Sequence, residues 1–468
     1  MSHNEHVTDI FHRQLSNHSP ILVKERLKKL SNMEDWIKTN RQAIIDAHYD
    51  DLRKPESEVE LGEIWYVLSE IKLAKKRLTN WTKPVHVGIS TLSLIPARSW
   101  IHYEPKGVVL IIAPWNFPFN LSVGPLVSAL AAGNRVILKP SEMAPNVSSL
   151  VKKMVDDLFQ PEEVAVCLGD AEVAKLLLGL PFHHIFFTGS PAVGKIVMSA
   201  AAKHLSSITL ELGGKSPTIL DETADVNLAV KKIAWGKCLN LGQSCIAPDY
   251  LLIHSSRKEE FLEKLSKRID EVFGDTFDEK ESSPNLTHVV NEGHWDRLND
   301  LLTSAVKQGA TIVHGGGKNK ESNFIEPTIL DNVTQEMKIM KEEIFGPLLP
   351  VTPFDKLDDC LDIINSKPKP LALYLFSNSR KNINRMIDNT SSGGMVINEV
   401  KTHFLNLNLP FGGVNTSGFG RSHGFEGFKS FCNERAMLRN GKTSLVWLIF
   451  PPYTSLRKKI IRFVTRYL

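Results

Sequence analysis

Three side chains in this sequence have types and settings suited to nucleophilic catalysis on a carbonyl. Cys245 lies in Leu241-Gly242-Gln243-Ser244-Cys245-Ile246-Ala247-Pro248, shortly after a glycine and just ahead of a proline, so a turn there can present its thiol to a cleft. A free thiol with a pKa near 8.5 is only about 3% thiolate at pH 7, so a productive site must lower that value or supply a base. Glu211, or a water beside it, can be that base: it ends the strand-like run Ile208 to Leu210 and precedes the double glycine Gly213-Gly214, where backbone can approach a ligand. Asn116 sits in Pro114-Trp115-Asn116-Phe117-Pro118, where two prolines hold an amide in a rigid, aromatic-walled turn that suits an oxyanion donor. Each residue also has a plainer reading. A lone cysteine is usually a small buried hydrophobe, as we read Cys167, Cys238, Cys360 and Cys432; a carboxylate at a strand end is usually solvated; an asparagine in a loop usually just makes a turn.

A second group of residues suits a dinucleotide. Phe187-Thr188-Gly189-Ser190-Pro191-Ala192-Val193-Gly194-Lys195 reads as a strand, a glycine turn and a helix start, which presents backbone N–H groups to phosphate. Gly189, Ser190, Val193 and Gly194 are its candidate contacts. It is not G-x-G-x-x-G, and Ile196 stands where a nucleotide triphosphatase needs the Ser or Thr that holds magnesium, which disfavours ATP hydrolysis. Lys139-Pro140-Ser141-Glu142 follows another strand of the same sheet and offers a cation and a carboxylate to a ribose. The acid favours the free 2′-hydroxyl of NAD, while Lys139 tolerates the extra phosphate of NADP. His183 and His184 are adjacent on a strand and point to opposite faces, so no metal is assigned.

The elements that must position these residues alternate. Gly107 to Ala113, Arg135 to Lys139, Glu163 to Leu168 and His184 to Phe187 read as buried strands separated by helical stretches, the pattern of a doubly wound parallel sheet. A second α/β alternation begins after Gly213, with strand-like Tyr250 to His254, a charged helix from Arg257 to Phe273, and strand-like Leu371 to Phe376 and Met395 to Asn398. Ahead of both lies a helical stretch from Ile21 to Trp81; Thr82 to Trp100, broken by Pro84, Gly88 and Pro96, suits a hairpin or arm. From Val400 onward the chain is glycine-rich and then basic, and no packing unit is legible in it.

The bulk properties narrow the classes. At 468 residues the chain has room for two or three domains, and with 42% hydrophobic and 23% charged residues it is an ordinary globular sequence. A net charge of +4 over that length is too little for a nucleic-acid footprint. Five scattered cysteines without a C-x-x-C pair point to reduced thiols in a cytoplasmic setting. The polar amino terminus lacks the apolar core of a secretion signal, and Leu445 to Phe450 is far shorter than the roughly 20 residues of a membrane span.

Taken together, Pro114 to Pro118, Phe187 to Gly194, Glu211 to Lys215, Gly242 to Pro248 and Glu343-Ile344-Phe345-Gly346-Pro347 resemble the aldehyde dehydrogenase superfamily in matching order along nearly the whole chain. Leu52-Arg53-Lys54-Pro55, Cys245 to Tyr250 and Pro451-Pro452-Tyr453 resemble its class 3, fatty aldehyde dehydrogenase-like branch. The resemblance implies a Rossmann-like cofactor domain (1–81 and 101–211), a second α/β catalytic domain (212–395), oligomerisation or bridging segments (82–100 and 396–440) and a basic amphipathic tail (441–468) in a homodimer. It further implies NAD, or NADP, as cofactor and attack of Cys245 on an aldehyde. Asn116 and the Cys245 N–H would hold the oxyanion, and Glu211 would activate water to hydrolyse the thioester. Glu343 would hold the nicotinamide ribose, and Phe345 would line the cofactor site. A hydrolytic Glu211 argues against release of the acyl group to coenzyme A, and a catalytically silent relative would be expected to lack Cys245 or Glu211. One departure is Asn415, which stands in place of the branch's usual glycine and leaves the loop geometry there open.

From Leu456 onward, Leu456, Ile460, Phe463, Val464 and Tyr467 fall on one helical face and Lys458, Lys459, Arg462 and Arg466 lie away from it. Such a helix can lie on an anionic membrane, pack on the protein body or cover a substrate tunnel.

Overall fold

Val108–Ile112 is a run of five buried aliphatic residues, which only a strand covered on both faces can accommodate. In the computed structural model, which describes residues 3–17, 19–88, 97–441, 447 and 450–467, it is the centre of a six-stranded sheet. The spatial order is Gly418–Phe419, Ser207–Glu211, His184–Thr188, Val108–Ile112, Arg135–Lys139, Val164–Val166. All neighbours are parallel except the first pair. Successive side chains of the central strand enter opposite cores. Val109 and Ile111 pack with helices Val23–Thr39, Trp65–Trp81, Asn120–Ala132 and Pro145–Leu158, while Val108, Leu110 and Ile112 pack with His3–Ser16, Ala171–Leu178 and Pro191–His204. Each such side chain contributes about 1.5–3 kcal/mol by burial.

The chain runs outward from Val108–Ile112 on one side, then returns to His184–Thr188 on the other, so the order reverses between these two strands. In open α/β sheets a ligand binds at that reversal, beyond the carboxyl ends. The register aligns Ile112 with Phe187 and Thr188 with Glu211, so the turns that carry Asn116, Gly189 and Glu211 leave the sheet along one edge.

The second sheet has seven strands in the order Thr311–His314, Thr328–Asp331, Leu348–Phe354, Tyr250–His254, Pro217–Leu220, Ala372–Phe376, Gly394–Ile397. Only the first pair is antiparallel.

A third, antiparallel sheet joins Val85–Val87, Arg98–Pro105 and Cys432–Arg439. The stretch after Val400, whose sequence shows no packing unit, therefore supplies two strands. Gly418–Phe419 completes the first sheet, and Cys432–Arg439 pairs with Arg98–Pro105 over its full length. These strands have no alternating pattern to reveal them, because most of Cys432–Arg439 is exposed on both faces. Parts of the proposed arm (89–96) and tail (442–446, 448–449 and 468) lie outside the described residues. Ser455–Tyr467 is a helix, and among the described residues no helix is long and apolar enough to cross a membrane.

Candidate active site

Cys245 is carried by a turn that must be held in place. Asn240, Leu241 and Gly242 have φ of 54°, 51° and 73°, three left-handed residues in succession. A non-glycine residue in that region costs of order 1–3 kcal/mol, so surrounding contacts must impose it. They are on hand. The Asn240 N–H donates to Glu58 Oε2 at 2.9 Å, and the Asn240 side chain donates to the carbonyls of Asn116 (2.8 Å) and Gln243 (3.0 Å). The Gln243 side chain donates to the His288 carbonyl (3.0 Å) and accepts from the Val290 N–H (3.1 Å). At Gly242 a Cβ would collide with the carbonyl of Gly346, so glycine is required by space as well as by φ.

Asn116 is tied to the same turn. Its Nδ2 donates to the Gln243 carbonyl at 3.1 Å, which uses one amide hydrogen and leaves the second for a ligand. Its own carbonyl accepts from the fully buried Lys54 ammonium at 3.2 Å, and Lys54 also contacts Glu63 Oε1 at 2.6 Å. Burial pushes the Glu63 pKa up, but Lys54 and His48 outweigh it and hold the carboxyl at about 2. Glu63 lies in a single π-helical turn, Glu60–Ile64, and its other oxygen accepts the Asn120 N–H at 2.8 Å. A buried ion pair thus fixes both ends of the Asn116 turn.

Glu211 ends its strand opposite Gly418 and is buried. Neither carboxylate oxygen has a well-formed hydrogen bond among the described residues. Burial pushes its pKa up to about 8, against downward pulls from the nearby Ser422 hydroxyl and Arg421. A general base needs a value in this range, near working pH.

Cys245 lines three cavities. One, of about 610 Å³, is walled mainly by apolar side chains including Leu61, Trp65, Phe117, Trp235 and Phe404. A second, of about 990 Å³, contains Asn116, Thr188, Gly189, Glu211, Glu343 and Phe345. A third, of about 40 Å³, also has Glu211 on its wall and is large enough for a water. Cys245 is therefore shared between an apolar pocket and a larger cleft, the polar cleft, named for the charged side chains Glu211, Lys215, Arg297 and Glu343 on its wall. Burial, with help from Glu343 and Glu211, pushes its pKa up to about 12, so at neutral pH it is protonated and its attack must be coupled to a base.

The expected cofactor residues fall into two places. Gly189 and Ser190 border the large cleft; the Ser190 side chain caps helix Pro191–His204, accepting the Val193 N–H at 3.3 Å. Val193 is exposed in the first turn of that helix, and a Cβ on Gly194 would collide with Leu212, so Gly194 serves close helix–strand packing. Glu343 and Phe345 also border the cleft. Glu343 packs so closely over Gly213 that a Cβ there would strike its carboxylate, and burial, with Asp249, pushes its pKa up to about 8. The Phe345 ring stands edge-on to Trp115 at 5.4 Å. Lys139 and Glu142 are not on the wall shared with Cys245. Lys139 ends the neighbouring strand and Glu142 lies in the turn after it, joined by an ion pair of 2.5 Å in which Lys139 is buried and Glu142 exposed.

Several positioning residues are not legible in the sequence. Lys215 pairs with Asp249 and donates to the carbonyls of Ile339 and Glu342, both at 2.8 Å, and Asp249 accepts the Ile344 N–H at 2.8 Å. This clamp delivers Glu343 to the cleft. Gln243, Glu63 and His48 carry no signal, because nothing in their neighbourhoods marks a buried polar contact to a distant loop. Asn415 has φ of 55°, the left-handed conformation that glycine adopts freely and asparagine tolerates better than most residues, so the substitution keeps the turn. Its loop is anchored by the Ser417 hydroxyl to the Val414 N–H (2.9 Å) and by the Leu212 N–H to the Ser417 carbonyl (3.1 Å).

Comparison with known proteins gives the same picture. The model of the aldehyde dehydrogenase family matches residues 9–437. The chain is 44% identical to 4,4'-diaponeurosporen-aldehyde dehydrogenase of Staphylococcus aureus over 94% of each chain. It is 41% identical to aldehyde dehydrogenase family 3 member A2 of Pongo abelii, over 89% of this chain and 84% of the other. Among solved structures, the substrate-bound state of Staphylococcus aureus AldH superimposes with a TM-score of 0.93 at 41% identity, covering 98% of this chain and 99% of that one. Cys245, Asn116 and Glu211 thus meet between two cavities on a fold shared end to end with such enzymes: the chain belongs to the aldehyde dehydrogenase family and is similar to its class 3 members.

Proposed function

We propose that this chain oxidises medium- or long-chain aliphatic or aromatic aldehydes to carboxylic acids through a thioester on Cys245. The observation that carries this reading is the position of Cys245 on the walls of both the apolar pocket and the polar cleft. Cys245 Sγ bonds to the aldehyde carbon while its proton passes to Glu211 or to a water beside it. The oxygen that becomes negative accepts from the free amide hydrogen of Asn116 and from the Cys245 N–H. A bound nicotinamide dinucleotide supplies the acceptor for the hydride that leaves this carbon. Glu211, its proton shed to solvent, then takes a proton from water as that water attacks the thioester carbon; the C–S bond breaks and the thiol is restored. A raised pKa keeps Glu211 a strong enough base to do this.

Members of the family use NAD or NADP. The residues here fit a dinucleotide: the cleft opens at the reversal of strand order, and the buried Thr188 hydroxyl on its wall has no hydrogen-bond partner among the described residues. Gly189, Ser190 and the first turn of helix Pro191–His204 would hold the diphosphate, Glu142 and Lys139 the adenosine ribose, and Glu343 and Phe345 the nicotinamide end. The exposed carboxylate of Glu142 favours NAD, and NADP remains accessible through Lys139.

The reading extends to assembly and place. The outer edge of Cys432–Arg439 has no strand partner among the described residues and would pair in a homodimer. In helix Ser455–Tyr467, Leu456 and Phe463 are exposed beside Lys458, Lys459 and Arg462, which suits peripheral contact with an anionic membrane by a cytoplasmic protein. Light scattering tests for twice the 52.4 kDa chain mass, and co-sedimentation with anionic vesicles tests the helix.

The function is tested by incubating the protein with NAD or NADP and aldehydes of short, long and aromatic type. Nicotinamide reduction should match acid formation one for one. Reduction without acid, or no reduction with any aldehyde, would refute the proposal.

A further inference from the structure

The apolar pocket that ends at Cys245 contains one feature that plain hydrocarbon chemistry does not need. Five lysines are buried among the described residues: Lys54, Lys139, Lys237, Lys280 and Lys401. Four are compensated. Lys54 meets Glu63, Lys139 meets Glu142, Lys237 donates to the Pro248 carbonyl, and Lys280 meets Asp270 and Glu326. The fifth, Lys401, is 4% exposed, lies on the wall of the pocket, and its Nζ meets no hydrogen-bond partner. An ammonium taken out of water without a partner is costly, and an acceptor that enters the pocket would relieve that cost.

Glu58 lines the same pocket but does not serve Lys401 directly. Its Oε2 accepts the Asn240 N–H at 2.9 Å, and no ion pair joins it to Lys401. Lys401 is within electrostatic reach of both Glu58 and Cys245, which places its charge near the reacting end of the pocket rather than at the mouth. The pocket wall also carries Lys231 and Arg268, but Lys231 is exposed and Arg268 is half-exposed and paired with Glu271, so among the cations lining the pocket Lys401 is the buried one.

We propose that Lys401 donates a hydrogen bond to an oxygen on the substrate chain beyond the reacting carbon, so that the pocket favours aldehydes bearing a hydroxyl, carbonyl or carboxylate over plain alkyl aldehydes. The inference rests on aldehyde oxidation at Cys245 and deepens it by naming the substrate class. A charge-assisted hydrogen bond in an apolar site is worth about tenfold or more in discrimination, because the plain analogue leaves the ammonium unpaired.

The test compares kcat/KM for aldehydes of one chain length, with and without a hydroxyl, ketone or carboxylate along the chain, in wild type and Lys401→Met. The wild type should prefer an oxygen-bearing member by about tenfold, and Lys401→Met should erase that ratio. The ketone and carboxylate arms separate a neutral acceptor from an anion. A second measurement needs no variant: burial lowers the Lys401 pKa to about 7, so the wild-type preference should shrink several-fold as pH rises from below to above that value. The groups facing Lys401 are Glu58, Cys245, Lys237 and Cys238, and titrations that act on both substrates cancel in the ratio. No preference in the wild type, a ratio unchanged in Lys401→Met because both rates fall together, or a ratio flat with pH would each overturn the inference. Absence of oxidation with every aldehyde would overturn the proposed function itself, whereas oxidation without discrimination overturns only the role of Lys401.

Discussion

The side-chain amide of Asn116 donates to the main-chain carbonyl of Gln243, two residues before Cys245, at 3.1 Å. The Asn116 turn and the Cys245 loop are thereby fixed to each other, although they are far apart in sequence and adjoin different sheets. Rigid placement of this kind is what lets one donor matter in the transition state.

Replacing Asn116 by Ala should lower kcat by about 100- to 1000-fold, the usual effect of losing one oxyanion donor. The change should fall on kcat far more than on KM, because the interaction strengthens only as charge develops. Steady-state kinetics with a saturating cofactor reads this split.

The Glu211 carboxyl has a folded pKa of about 8, well above the ordinary glutamate value of 4.5. Only the deprotonated form is a base, so the rate of thioester hydrolysis should rise with pH through about 8. Glu211→Gln should abolish that rise; a burst of reduced nicotinamide followed by slow turnover would assign the thiol proton to the water, and loss of the burst would assign it to Glu211. Stopped-flow absorbance across pH distinguishes the two phases. Stability has the opposite slope: the folded state holds a proton that the unfolded state loses between about pH 4.5 and 8, so this group costs stability as pH rises through that window. Glu211→Gln should accordingly raise Tm relative to wild type at pH 9 more than at pH 5.

Much of this site is legible in the chain's local patterns. The thiol, the base, the amide turn and the glycine turn all sit at ends of strands whose apolar runs are conspicuous, and Val108–Ile112 and His184–Thr188 form as their composition requires. The supports are not legible in that way. Lys54 is legible only as part of a stretch that resembles the class 3 branch, and nothing local shows that it is fully buried under the Asn116 turn; Cys432–Arg439 lies in a stretch with no legible packing unit, yet it pairs with a strand more than three hundred positions earlier. Both depend on long-range contacts that leave no local periodicity. Lys401 is hidden for the same reason.

Lys54→Met should be among the most damaging substitutions outside the reacting groups. It leaves Glu63 buried without its lysine partner, and breaking a buried pair typically costs about 3–5 kcal/mol. The Glu63 carboxyl, held at about 2, contributes stability that is present above its unfolded value of 4.5 and is lost as pH falls toward 2. In the variant that acid-side loss should be smaller. Urea titrations at pH 7 and pH 4 measure both effects.

Glu142 offers its exposed carboxylate at the expected ribose position, with Lys139 buried behind it. Glu142→Ala should raise KM for NAD by about tenfold, the worth of a hydrogen bond to a charged group, and raise KM for NADP less, since a carboxylate repels the 2′-phosphate. Parallel kinetics with the two cofactors gives the ratio.

The central claim, that turnover passes through Cys245, is tested most directly by nicotinamide reduction in the folded Cys245→Ala variant, with aldehyde and cofactor in excess. The structure predicts no reduction above background, because the other four cysteines are buried in the cores and none borders the large cleft. Full activity in Cys245→Ala would contradict the account.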